Sequence, residues 1–304
     1  MNATTAVNYQ AGNLWRFLQF PVVRLFLAAG SVIAFIAAFQ LAAHVAHIKP
    51  GTIASHILGL LLIAGVCGVY AAYVRLIEKR SVSEFGRHRA IREISKGFLV
   101  GSLLFCLVML ILWLLGSLKI SGMNPWSVMI TPLIGALVAG FIEEILIRGI
   151  LFRIIEESLG TWIALAASAV IFGLLHMFNP GATLVSTVAI ALEAGILLAA
   201  VYIYTRRLWM VIGLHIAWNF TEGGIFGASV SGGTDHGLFN SQFYGANLIT
   251  GGHFGPEASV VAVVICLAAG VVYLVLAYRK GNFVRPYWRR SRSRYNAHAV
   301  YEAN

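Results

Sequence analysis

The chain is a series of long apolar runs separated by short polar ones. The runs fall at roughly 22–45, 54–76, 97–117, 127–150, 162–178, 182–204, 208–226 and 258–278. Runs of about 20 residues match the roughly 30 Å of hydrocarbon that a helix rising about 1.5 Å per residue must cross. Barrel strands would instead alternate polar and apolar residues over about 10 positions. Backbone groups in lipid must be paired internally, which here leaves helices. The fold class expected is therefore all-α, a polytopic transmembrane helical bundle of about eight spans. The fifth run is marginal in length, and the seventh fades into a glycine-rich stretch. Residues 13–20 carry Trp15, Phe17 and Phe20 and are expected to lie on the membrane surface.

Composition agrees with this pattern. Hydrophobic residues make up 59% of the 304 and charged residues 11%, and the mean hydropathy is +0.81. A soluble domain carries about 25% charged residues. The net charge of +10 would suit a nucleic-acid partner, but its distribution fits a membrane better. Arg75, Lys79, Arg80, Arg87, Arg89, Arg92 and Lys96 cluster between runs two and three. Arg279, Lys280, Arg285, Arg289, Arg290, Arg292 and Arg294 lie in the tail. Arg148, Arg153, Arg206 and Arg207 fall at the other connections on that side. The opposite side has Lys49 and Lys119, and residues 227–257 have no Lys or Arg. Eight spans with both termini in the cytoplasm place every basic loop inside, where the basic segments are expected to meet anionic headgroups. No nucleic-acid partner is expected. Cys67, Cys106 and Cys266 lie within apolar runs without paired spacing and read as core residues.

Polar chemistry gathers in residues 140–225. Glu143 and Glu144 sit side by side in an apolar run, followed by Arg148. An ionisable group within a bilayer costs roughly 2.5 kcal/mol or more on insertion scales, so such groups read as functional by default. Arg148 is four residues after Glu144 and should pair with it across one helical turn. Glu143 then has no helix-local partner, and a carboxyl without one in a low-dielectric site suits a general base. The reading preferred for Glu144 is structural, and for Glu143 chemical. Runs four and five are joined by a short turn at Leu159-Gly160. Glu143 is 16 residues before Leu159, and His176 is 16 after Gly160. Both should therefore stand at one height, where the side chains can meet. His215 and Asn219 share a face of run seven, one able to move protons or bind metal, the other to donate to an oxyanion. An interhelical hydrogen bond is the plainer alternative for that pair.

Other polar residues are expected to matter less. Glu193 is either a supporting partner or a packing contact. Glu222 is expected to be solvated, Glu156 and Glu157 to lie on an exposed hairpin, and Asp235 and Glu257 on a loop surface. His44, His47, His236 and His253 fall in loops or at span ends. Residues 227–257 hold Gly232-Gly233, Gly251-Gly252 and Gly255-Pro256 and read as a mobile outer connector, with a cover over a cavity as the alternative. One glutamate, two histidines and an asparagine from three helices suit water activation and oxyanion stabilisation, hence amide hydrolysis. They also include the ligand types of a His2Glu zinc site, although no HExxH motif is present.

Glu143-Glu144-xxx-Arg148, Phe172-xxx-His176 and His215-xxx-Asn219 resemble, in order and spacing, the three motifs of the CPBP family. These are the type II CAAX prenyl endopeptidases and bacteriocin-processing intramembrane proteases, also called Abi. The resemblance covers roughly residues 125–225. It implies a helical bundle with a membrane-embedded site, in which Glu143 and His176 activate water while His215 and Asn219 stabilise the oxyanion. Glu144, Arg148 and Phe172 would support that site.

The chain then divides into an N-terminal three-span region with its basic loop (1–120), a CPBP-like protease core (121–280) and a basic tail (281–304). The expected activity is that of an intramembrane endopeptidase, acting on a membrane-associated protein or peptide. A proton-coupled transporter and a non-catalytic immunity or binding protein on the same fold are the alternatives. The expected setting is the lipid bilayer of a bacterial inner (plasma) membrane. No cofactor is expected to be obligatory. Zinc is the one possible metal, on Glu143, His176 and His215. It is disfavoured because the asparagine suits an oxyanion and because Glu144, committed to Arg148, leaves too few groups to orient both histidines.

Overall fold

The computed structural model describes residues 14–233 and 236–289; Asp235, the tail from 290 onward and the first 13 residues lie outside the described set. Within it the chain is a helical bundle. We number its helices α1 (Pro21–Val45), α2 (Ile53–Leu76), α3 (Ala90–Leu114), α4 (Trp126–Leu159), α5 (Thr161–His176), α6 (Leu184–Thr205), α7 (Leu208–Asn219) and α8 (Val260–Arg279). Six of these, all but α5 and α7, are long and apolar enough to cross a bilayer. Residues 14–18 form a helical turn with Leu14 and Phe17 exposed.

The expected span boundaries need two corrections. α3 begins at Ala90, not 97, and α4 runs for 34 residues to Leu159, not 150. At about 1.5 Å per residue α4 is about 50 Å long, so one end extends beyond the hydrocarbon. That end carries charge. Arg153 is fully buried and reaches Glu78 at 2.7 Å, Glu84 at 3.2 Å and Glu157 at 2.6 Å. Arg24 joins Glu78 and Glu157, and Arg80 joins Glu78 and Glu84. Glu156 is buried against Arg206 rather than exposed. Arg148 and Arg153 are therefore interior groups and do not face headgroups.

α7 lies at the centre. Almost every residue from Leu208 to Trp218 is buried, as expected of a helix that is apolar all round. It packs on α3, α4 and α6. Its contact with α3 is a backbone approach: a Cβ at Gly97 would lie 2.0 Å from the Met210 carbonyl oxygen, and one at Gly101 2.4 Å from that of Leu214. Small residues at four-residue spacing allow such proximity between membrane helices. The outer helices turn Leu41, Leu99, Leu103, Val264 and Val271 outward, where lipid would take the place of a protein partner.

Two further departures concern the end opposite the arginines. Leu118–Met123 (β1) and Phe239–Phe243 (β2) pair antiparallel, a small sheet absent from the all-α expectation. Residues 227–257 are thus no simple connector. They add β2 to the sheet, form a helical turn at Asn247–Thr250, and lay a second turn, Pro256–Ala258, against the bundle.

Candidate active site

Three helices are locally widened to π-helix: α4 at Ile145–Phe152, α6 at Ala191–Gly195, and the continuation of α7 at Phe220–Ile225. The first begins directly after Glu144, the second contains Glu193, and the third begins directly after Asn219. Single π turns are uncommon and recur at functional sites. Glu193 of the second turn and Glu143 and Asn219, just before the other two, line one cavity of about 340 Å³ together with Phe172, His176 and His215.

Glu144 and Arg148 pair as expected, Arg148 Nη1 donating to Glu144 Oε1 at 2.8 Å with both side chains fully buried. Arg148 Nη2 also donates to the carbonyls of Ala194 and Gly195, each at 3.2 Å. These carbonyls belong to the π turn of α6. The Phe172 ring lies 4.8 Å under the guanidinium and 4.6 Å from the His176 ring. Phe172 therefore lies between the arginine and the histidine, under the guanidinium and tilted against the imidazole.

Glu144 has a second role that spacing along its own helix does not reveal. His215 Nδ1 donates to the same Oε1 at 2.8 Å. A carboxylate acceptor requires the proton on Nδ1, which turns Nε2 toward the cavity. Nε2 lies 3.8 Å from Glu143 Oε2. His176 is held likewise, with Nδ1 at 2.8 Å from the Phe172 carbonyl, so its Nε2 is also turned away from its own helix. Glu143 and His176 share the cavity, but no hydrogen bond joins them among the described residues. The nearer histidine to Glu143 is His215. Glu143 Oε2 has no hydrogen-bond partner among the described residues.

Several residues placed on the surface by sequence are interior. Glu222 is fully buried rather than solvated, and Glu257 is 3% exposed rather than on a loop surface. Glu257 accepts from Ser231 N at 2.7 Å and Ser231 Oγ at 2.8 Å, and its own N–H donates to Glu222 Oε1 at 3.3 Å. Burial pushes the Glu257 carboxyl up from its ordinary range. Val230, Ser231 and Glu257 all line the cavity, so the glycine-rich segment covers it in part. Glu193 lines it too, 2% exposed and with Oε1 unpartnered. The one sequence signal for this wall was two carboxylates, Glu222 and Glu257, flanking a segment without Lys or Arg.

The zinc question changes in its reasons. Both histidines have an oxygen acceptor on Nδ1, the outer contact that orients metal-bound imidazoles, so the objection drawn from missing support fails. Convergence is what the site lacks. Among the described residues no group of three His, Cys, Asp or Glu side chains is placed to hold a metal ion.

The geometry has a counterpart in known sequences. Residues 125–221, about a third of the chain, match the family described as type II CAAX prenyl endopeptidase Rce1-like. All three motifs fall inside this match, as the resemblance to CAAX-type proteases implies. No curated protein and no solved structure matches the chain.

Proposed function

We propose that this integral membrane protein of CAAX-protease type is an intramembrane endopeptidase that hydrolyses a membrane-associated peptide with an activated water. The observation that carries the reading is the contrast between adjacent carboxylates. Glu144 holds Arg148 and His215 on one oxygen, its other having no partner, while Glu143 lines the cavity and makes no hydrogen bond among the described residues. In this mechanism Glu143 takes a proton from water, and His176 orients that water through Nε2. The hydroxide formed attacks the scissile carbonyl. His215, doubly protonated, donates Nδ1–H to Glu144 and Nε2–H to the oxyanion. The Asn219 amide provides a second donor. Glu143 then passes its proton to the leaving amine. No step requires a metal.

Substrate entry follows from the position of the cavity. Its lining includes Thr131 and Pro132 at the start of α4, Asn179 just beyond α5, and Ser231 and Glu257 from the 227–257 segment. All lie at the end opposite the arginine cluster. With both termini cytoplasmic, as the charge distribution favours, the mouth faces outward. The test is membrane proteomics of cells carrying wild type against Glu143→Gln. Peptides that persist uncut only in the variant would support the reading, and indistinguishable profiles, together with no cleavage by purified wild-type protein, would refute it.

A further inference from the structure

The cavity wall is rich in carboxyl groups and poor in basic side chains. Glu143, Glu193 and Glu257 line it with His176 and His215, and none of its lining residues is Lys or Arg. Arg148 is fully buried behind it. Glu143 has a task in the proposed hydrolysis, but Glu193 and Glu257 have none. Glu193 stands on the π turn of α6 with Oε1 unpartnered. Independently, Trp218 on α7 is 5% exposed and lines the cavity, and its indole Nε1–H also lacks a partner. A buried acceptor and a buried donor left open are costly to the empty protein, and both costs disappear when a ligand supplies the complementary groups. Glu257 comes from the other side, held by Ser231 and backed by Glu222.

We propose that Glu193, Glu257 and Trp218 form a substrate subsite for an ammonium group near the scissile bond, either a lysine side chain or a free N-terminus. The two carboxylates take the cation, and the Trp218 N–H takes a backbone carbonyl beside it. Charge-assisted hydrogen bonds to buried groups are the strong kind. This inference rests on the endopeptidase reading and names its substrate class.

The test uses the full chain in lipid nanodiscs and one fluorescent apolar peptide series. The peptides carry Lys, Gln or Glu at a single scanned position with an acylated N-terminus, or Gln with a free N-terminus. Binding is measured on Glu143→Gln and cleavage on wild type. Either the Lys or the free-amine peptide should bind about tenfold tighter than its acylated Gln parent, which also tells the two ammonium sources apart, and the Glu peptide should bind weakest. Glu193→Gln and Glu257→Gln should each shrink the preference severalfold, read as a ratio within each variant. Trp218→Phe should weaken all peptides alike. Equal binding of every peptide, or a preference that survives both glutamate variants, would overturn the subsite. Ammonium-selective binding without cleavage would retain the subsite and remove the endopeptidase; cleavage without selectivity would do the reverse.

Discussion

Two regions of this molecule bury carboxylates, and they treat them in opposite ways. At the arginine end, Glu78, Glu84 and Glu157 meet Arg24, Arg80 and Arg153 at 2.6–3.2 Å. In and behind the cavity wall, Glu143, Glu144, Glu193 and Glu222 each keep an oxygen without a hydrogen-bond partner among the described residues. Burial alone therefore does not separate structural from chemical charge; saturation does. A matched ion pair holds helices together, whereas an unmatched carboxylate is tolerated where a substrate or water will complete it. Glu144 joins the two kinds, since one oxygen secures Arg148 and also orients His215.

The comparison breaks first on activity. Glu143→Gln should lower peptide cleavage by about 10²–10⁴-fold, the range for losing a general base, with little change in the thermal midpoint. Glu78→Gln should do the opposite, lowering the midpoint while leaving turnover per folded molecule near wild type. An active Glu143→Gln protein would reverse the assignment of the two regions.

Glu144 should show both faces at once. Glu144→Gln leaves a buried guanidinium without its countercharge, which costs about 3–5 kcal/mol, and gives His215 a neutral amide oxygen in place of its charged acceptor. The double variant Glu144→Gln/Arg148→Met should recover much of the stability but little of the activity, measured by thermal unfolding in detergent and by turnover. Recovery of both together would show that Glu144 acts only through Arg148.

Arg153→Met tests the saturated region alone. It takes one of the arginines from Glu78, Glu84 and Glu157, each of which keeps Arg24 or Arg80, and should destabilise by up to about 3 kcal/mol, without altering the substrate preference of the fraction that remains folded. Acid should reach the same network more gently. Burial pushes the Glu78 carboxyl up, but Arg153, Arg24 and Arg80 outweigh it and hold it at about 2. A carboxyl held below its unfolded value stabilises above about pH 4.5, and that contribution fades as pH falls toward about 2. Thermal midpoints followed across that window should decline in wild type and be flatter in Glu78→Gln.

The smallest energetic effect belongs to the topology test, which also fixes which end is which. Single cysteines at Arg87 and His236, both exposed, in a background lacking Cys67, Cys106 and Cys266, should label from opposite sides of sealed cells, His236→Cys from outside. Labelling of both from one side would place the cavity mouth and the arginine cluster on the same face and undo the proposed entry route.

The sequence by itself marked out the helices, the pairing of Glu144 with Arg148, and the level placing of Glu143 and His176 along one cavity. These follow from run length, four-residue spacing and equal height about a turn, which are local quantities. Tertiary structure decided what depends on groups far apart in the chain. It gave His215 rather than His176 as the neighbour of Glu143, buried Glu222 and Glu257, paired β1 with β2 across more than a hundred residues, and folded a glycine-rich segment into the cavity wall. The π turns also lay beyond the sequence, because apolar residues in a widened turn look the same as those in a regular one. Periodicity reports which face a residue occupies along its own helix. Whether a carboxylate on that face meets a cation, water or nothing depends on what another helix brings to it.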